Sequence, residues 1–311
     1  MRKLFIVVLV LVAALVAFDF LFPHTSASVG LSLERARNGL ETKSMQVGAV
    51  EIVYLEGGPR GEDVESIVLI HGFGADKDNF TRAAGYLTDN YHVVIPDLPG
   101  FGDSERLMDV SYDVDSQVLR LHGILQAMGL ERFHIGGSSM GGAIAAVYAA
   151  TYPQEVASAW LVAPGGVSGA RDSKLIAEYK ETGKSLLVAR EPGEFQNILD
   201  LVMEKPPFIP YSGKRVLSER AVNDFELHSR IFETLANSMD INPKAATVQA
   251  PTLIVWGTED RALDVSGAEI LDGLMPNSQL IVMEGIGHLP MLEVPKQAAN
   301  DYLAFLGEVA E

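Results

Sequence analysis

Residues 136–142 read GGSSMGG: four glycines, two adjacent serines and one methionine, between FHI (133–135) and AIAAVYAA (143–150). FHIGGS (133–138) reads as a buried strand, and the alanine-rich stretch from about residue 141 to Tyr152 as a helix stopped by Pro153. The quoted residues therefore form a strand-to-helix turn. A serine at the tip of so sharp a turn takes a strained, positive-φ backbone that crowds the residues two before and two after it. Ser139 has Gly137 and Gly141 at those places, the pattern G-x-S-x-G, whereas Ser138 has Gly136 before it but Met140 after it. Ser139 is the candidate nucleophile.

Outward from that turn, short runs of Val, Ile and Leu recur with helical lengths between them. VEIVYLE (50–56) reads as an early antiparallel strand. SIVLIH (66–71), YHVVIPD (91–97), SAWLVAP (158–164), PTLIVWG (251–257) and QLIVMEG (279–285) follow. Their lack of alternation predicts strands covered on both faces of a mostly parallel sheet. Residues 117–128 and 143–152 read as crossover helices, and a polar stretch near Leu31 to Leu40 also reads as helical. Repeated strand–helix units of this kind give an α/β doubly wound fold. One interval breaks the rhythm. Residues 166–248 hold no convincing strand, and Phe195, Ile198, Leu199, Val202 and Met203 lie at the spacing of an amphipathic helix. KPPFIPY (205–211) is too proline-rich to be helix. The interval is expected to be a helical insertion above the sheet.

A serine hydroxyl needs a base to take its proton, and the base needs an orienting acid. Only His228 and His288 lie downstream of Ser139. His228 falls in the helical insertion, where a solvated face or a cap contact is expected. His288 falls in GIGHLP directly after the last strand, where a loop can bring it over the sheet's end, and it is the candidate base. WGTEDRALD follows the preceding strand and offers Glu259, Asp260 and Asp264. Asp260 lies three residues past Gly257, near the strand's C-terminal end, and is the candidate acid, with Glu259 expected in solvent and Asp264 at the next helix start. The developing oxyanion needs backbone donors, for which Met140 N–H and Phe73 N–H, in HGFGADKDNF (71–80), are the candidates. His71 and Asp97 are expected to hold loops, and His92, His122 and His134 to pack or lie at the surface. No metal-like spacing of ligands and no G-x-G-x-x-G after a strand occurs, so no cofactor and no metal is expected.

The 311-residue chain has a formal charge of −17, which speaks against a nucleic-acid partner because phosphate binding needs clustered Lys and Arg. It holds no cysteine, which removes thiol catalysis, thiolate metal sites and disulfides. At the N-terminus, Arg2 and Lys3 precede an apolar run from Leu4 to Phe22 that Asp19 alone interrupts. At about 1.5 Å per residue the run spans roughly 28 Å, near the thickness of a hydrocarbon core. Residues 1–28 read as a membrane anchor or as a signal peptide cleaved near Thr25–Ser28, and in both readings the rest of the chain is exported.

With HGFGADKDNF, DLPGFGDS (97–104), GGSSMGG, WGTED (256–260) and GIGH (285–288) in this order, the chain from about residue 45 to 306 resembles the serine α/β-hydrolases. HGFGADKDNF, SQVLRLH (116–122) and KPPFIPY carry a narrower resemblance to bacterial lipases and carboxylesterases and to membrane-anchored monoacylglycerol lipases. The resemblance implies an α/β-hydrolase fold with a mostly parallel eight-stranded sheet flanked by helices. Residues 29–165 and 249–311 would form the core and 166–248 the cap. It implies hydrolysis of ester or acylglycerol substrates by Ser139, Asp260 and His288, with the oxyanion held by Phe73 and Met140 and membrane contact through the N-terminal segment. Two rivals share these features: a meta-cleavage-type C–C bond hydrolase, which is usually cytoplasmic, and a slow-turnover ligand-binding protein on the same fold.

Overall fold

The unbroken apolar runs become strands covered on both faces. Every residue of β3 (Ser66–Ile70), β5 (Phe133–Ser138) and β7 (Thr252–Gly257) is buried. Alternate side chains of each strand enter two separate cores. Val68, Ile135 and Ile254 pack on one face of the sheet, and Ile67, Leu69, Leu253 and Val255 on the other. The computed structural model describes residues 1–61 and 63–310.

In chain order, α1 (Arg2–Leu21) and α2 (Pro23–Arg37) precede the strands β1 (Leu40–Val47) and β2 (Val50–Gly57). After β3 come α3 (Thr81–Ala84), β4 (His92–Pro96) and α4 (Val114–Ala127), then β5, α5 (Met140–Thr151) and β6 (Val156–Val162). The chain then runs through α6 (Lys174–Thr182), α7 (Phe195–Val202), α8 (Tyr211–Asn223), α9 (Phe225–Ser238) and α10 (Asn242–Ala245). It returns through β7, α11 (Ser266–Leu274), β8 (Ser278–Met283), α12 (Pro290–Glu293) and α13 (Pro295–Val309). The sheet has eight strands in the order β1-β2-β4-β3-β5-β6-β7-β8, antiparallel for β1/β2 and β2/β4 and parallel from β4 onward.

Four local expectations change. β1 is an added strand in a stretch without an apolar run. Its sequence LETKSMQV has one fully buried side chain, Leu40, because it is an edge strand paired on one side only. The helix expected near Leu31 to Leu40 instead spans Pro23–Arg37, so it starts inside the leader segment and ends before Leu40. The strand expected at 158–164 ends at Val162, because Ala163 turns to φ 41° and breaks the extended backbone. α4 also begins earlier than Gln117, since Asp113 accepts the Ser116 N–H at 2.8 Å and caps the helix at Val114.

Candidate active site

The glycines around Ser139 are there because backbone lies where their side chains would be. Ser139 has φ 57° and ψ −117°, a conformation that typically costs a non-glycine residue about 1–3 kcal/mol. A Cβ on Gly137 would sit 2.2 Å from the Gly141 carbonyl oxygen, and one on Gly141 would sit 2.2 Å from Ile70 O and 2.5 Å from His71 O. These overlaps let β5, α5 and the loop after β3 meet at one point. The turn is held by backbone bonds. Ser139 N–H donates to Val162 O at 2.9 Å, and Ser139 O accepts from Ala143 N–H at 3.0 Å and Gly165 N–H at 2.9 Å. Gly165 lies beyond the strained Ala163, and its contact with the nucleophile turn has no local signal in the sequence. Ser138, the neighbouring serine, is buried with an unpartnered Oγ.

His288 and Asp260 come from the loops after β8 and β7 and meet under cover. His288 Nδ1 lies 2.7 Å from Asp260 Oδ2, and the two residues are 3% and 9% exposed. Asp260 Oδ1 accepts the Ala262 and Leu263 N–H groups at 2.8 Å each. A carboxylate is an acceptor only, so the shared proton belongs to His288 Nδ1 and the Nε2 lone pair is left to act as a base. The His288 N–H donates to Val202 O at 3.0 Å, which ties the candidate base to the end of α7. Neither Ser139 Oγ nor His288 Nε2 has a hydrogen-bond partner among the described residues.

The loop after β3 runs beside Ser139. A Cβ on Gly72 would lie 3.3 Å from Ser139 Cβ and 3.9 Å from Ser139 Oγ. Phe73 N–H, in this loop, has no protein acceptor among the described residues. Met140 is the first residue of α5, where a helix leaves N–H groups without an internal acceptor. The Phe73 ring is wedged among Phe101, His228 and Phe232, with centroids 5.9, 5.4 and 5.5 Å away. Phe232 and His228 both lie on α9, so the helical interval packs against the Phe73 side chain.

His71 is fully buried, with Nδ1–H donating to Gly72 O at 2.8 Å and Nε2 accepting Leu98 N–H at 3.1 Å. Burial outweighs the Gly72 carbonyl and pushes its pKa down to about 4. Burial likewise pushes His134 and His228 down. His228 is inside, stacked on Phe101 at 5.1 Å and donating from Nε2 to Gly100 O at 3.3 Å, where a solvated face was one expectation. Glu259 is exposed, and Asp264 Oδ1 accepts the Ser266 N–H at 2.9 Å at the start of α11. His92 bonds Glu56 and Ser66, His122 stacks on Tyr152, and His134 bonds Ser158. Among the described residues no group of three or more His, Cys, Asp or Glu is arranged to hold a metal ion.

These buried neutral histidines set a pH dependence. The unfolded chain takes up protons as pH falls through about 6.5, whereas folded His71 does so only near 4, so stability is lost as pH falls across that window. Urea unfolding midpoints are expected to fall steadily from pH 7 to pH 5. A flat profile over that range would contradict the neutral, buried assignment.

Asp97, after β4, is buried and accepts Lys77 N–H at 2.6 Å, Lys77 Nζ at 2.8 Å and Asp103 N–H at 2.7 Å. Lys77 follows the Phe73 loop and is itself fully buried, and its Nζ also reaches Asp103 Oδ2 at 2.6 Å. A lysine inside a motif of small and polar residues gives no sequence signal for such burial.

The model of the alpha/beta hydrolase fold matches residues 65–295. "Lipase 3" of Moraxella sp. (strain TA144) is 40% identical over 88% of this chain and 87% of its own length. "Monoacylglycerol lipase abhd6-A" of Xenopus laevis is 30% identical over 97% of this chain and 92% of its own. A crystal structure of a membrane phospholipase A covers 100% of both chains at 43% identity, with a TM-score of 0.90. The matched residues 65–295 take in the turn at Ser139, with its two close-packed glycines, and the bonded Asp260–His288 pair, and the chain belongs to the alpha/beta hydrolase fold family.

Proposed function

We propose that the chain cleaves carboxylic esters of lipid-like substrates through an acyl-enzyme on Ser139. The observation that carries this reading is the Asp260–His288 pair, buried and bonded at 2.7 Å, behind a serine held at φ 57° between two close-packed glycines. His288 Nε2 takes the Ser139 proton as Oγ attacks the ester carbonyl, and Asp260 steadies the imidazolium that forms. The Phe73 and Met140 N–H groups receive the oxyanion. The alcohol leaves with the proton from His288, and water then repeats the steps on the acyl-enzyme. A serine that attacks through its oxygen is the wrong nucleophile for dehalogenation or epoxide opening, which need a carboxylate.

The lipid-like substrate class is supported by the relatives' names and by α1. Residues Lys3–Leu21 have a mean hydropathy of 3.0 and none of the span is buried in the fold. We read α1 as a retained membrane anchor with the catalytic domain exported. The residues suited to cleavage, Thr25 to Ser28, lie inside α2, where Ala27 is buried. α2 is also fastened to the core, with Arg35 Nε 2.7 Å from Asp78 Oδ1 and an Arg82–Glu34 ion pair. Residues 166–248 act as a cap over Ser139, its α9 set against Phe73.

Hydrolysis of esters from acetyl to palmitoyl, with mono- and triacylglycerols and a Ser139→Ala control, tests the reading. Ser139-dependent turnover peaking at medium or long acyl chains, with monoacylglycerol cleaved, is the expected result. Turnover restricted to acetyl and butyryl esters would remove the lipid-like substrate. No Ser139-dependent ester turnover would favour C–C bond hydrolysis or ligand binding instead. Intact mass of the membrane-purified chain tests the anchor, and loss of the first 25 to 28 residues would refute its retention.

A further inference from the structure

Asp19 is the one charged residue between Leu4 and Phe22, and the structure gives it a task. α8 begins after Pro210, which occupies the capping position and has no side-chain acceptor to offer. A helix start is normally served by a Ser, Thr, Asp or Asn side chain that accepts from the second or third helical N–H. In α8 the second N–H belongs to Ser212, and it donates to Asp19 Oδ2 at 3.2 Å, across 193 positions of chain. The other oxygen, Asp19 Oδ1, accepts from Ser26 Oγ at 2.8 Å and fastens the break between α1 and α2. Two further contacts lie along the same seam. The Phe20 ring stacks on Tyr211 with centroids 4.3 Å apart, and His24 Nε2 lies 3.1 Å from Glu219 Oε2.

α8 in turn touches the machinery around Ser139. Its Arg220 reaches Asp76 Oδ2 at 2.8 Å and Asp103 Oδ1 at 2.6 Å. Asp76 begins the short helical turn that follows the Phe73 loop, and Asp103 bonds the buried Lys77. The contacts form a continuous path from the membrane helix through a cap helix to the loop beside Ser139.

We propose that Asp19 is a positioning residue that caps α8 from the membrane helix and thereby fixes the seat of the cap over the active site. The inference rests on the retained anchor and on the ester-hydrolase reading. It assigns the cap's substrate-binding geometry in part to a residue outside the cap, so an anchor-deficient form binds its ester less tightly with the same catalytic groups.

The full chain in lipid nanodiscs tests it with a medium-chain ester. Asp19→Ala is expected to raise KM about three- to fivefold, the equilibrium shift typical of losing one side-chain cap, with kcat within about twofold of the parent. Asp19→Asn keeps a capping acceptor and is expected to restore the parental KM. Because the chain has no cysteine, Phe20→Cys with Tyr211→Cys introduces the only two thiols, and a link within one chain is told from a link between chains by mass on a non-reducing gel. Oxidation is expected to link them and to restore the low KM to Asp19→Ala. A parental KM in Asp19→Ala, an Asn variant as impaired as the Ala variant, or no disulfide between positions 20 and 211 would each overturn the proposal. Failure of the underlying readings is seen separately, as a shortened mature mass or as a parent enzyme without Ser139-dependent turnover, and the disulfide still reports the contact in the second case.

Discussion

Ser139→Ala is expected to lower kcat/KM for an ester by about 10⁴-fold or more, the loss typical of removing such a nucleophile. At about 1.36 kcal/mol per decade, that is roughly 5.5 kcal/mol of transition-state stabilisation. The fold should hardly notice. The bonds that shape the turn are made by the Ser139 backbone, to Val162, Ala143 and Gly165, and alanine keeps them all. Oγ has no hydrogen-bond partner among the described residues, so its removal strands no buried polar group. Alanine keeps the same Cβ and so bears the same positive-φ strain. The unfolding free energy is therefore expected to change by less than about 1 kcal/mol. Steady-state kinetics and a denaturation curve on one preparation check both halves. A variant with ordinary turnover would sink the assignment of Ser139, and one that fails to fold would show that the hydroxyl has a structural duty.

Lys77→Met is expected to destabilise the chain by about 3–5 kcal/mol, because it removes one partner of a buried ion pair and leaves the other charge uncompensated. Methionine matches the length of lysine, so the loss is electrostatic rather than a cavity. Burial by itself lowers the Lys77 pKa, but Asp97, Asp76 and Asp103 together outweigh it and hold the ammonium above the ordinary lysine value. The sign follows from that direction. Stability from a raised lysine is fully present below about pH 10.5 and is lost only above it. The stranded Asp97, whose carboxyl burial already pushes up, takes up a proton more readily as pH falls, so the defect of Lys77→Met should be no larger at pH 6 than at pH 8. Adding Asp97→Asn removes the stranded charge, and the double variant is expected to recover part of the loss, as coupled partners do. Urea unfolding of the four proteins in one detergent measures the cycle. Strict additivity would mean that the 2.8 Å contact contributes nothing of its own.

Much of this architecture is legible in the sequence because parallel strands covered on both faces need runs such as SIVLI and TLIVWG, which few other elements use. The nucleophile turn is legible for a steric reason. Only glycine fits at 137 and 141, and a Gly-x-Ser-x-Gly string records that constraint directly. Asp260 and His288 are legible as candidates because both lie just past strand ends, but Glu259 lies there too, and it is the 2.7 Å contact with His288 that separates the two carboxylates. What escapes reading depends on partners far away in the chain. β1 alternates weakly because one edge of it faces solvent. Lys77 looks like any surface lysine until Asp97 and Asp103 are brought to it. Asp19 reads as a blemish in an apolar run, since its partner Ser212 lies 193 residues on.

The order of the chain has a consequence for when activity can arise. α1 comes first, at Arg2–Leu21, and the groups proposed to react come much later, Ser139 before the helical interval and Asp260 and His288 after it. A growing polypeptide of 139 to 287 residues therefore contains the proposed nucleophile without its proposed base. With α1 as the proposed anchor, it can enter a bilayer while the groups proposed to react are still incomplete. On the proposed anchor and site, insertion precedes competence, and a ribosome-bound or prematurely released fragment is expected to pose no esterase threat to the lipids on the side where it was made.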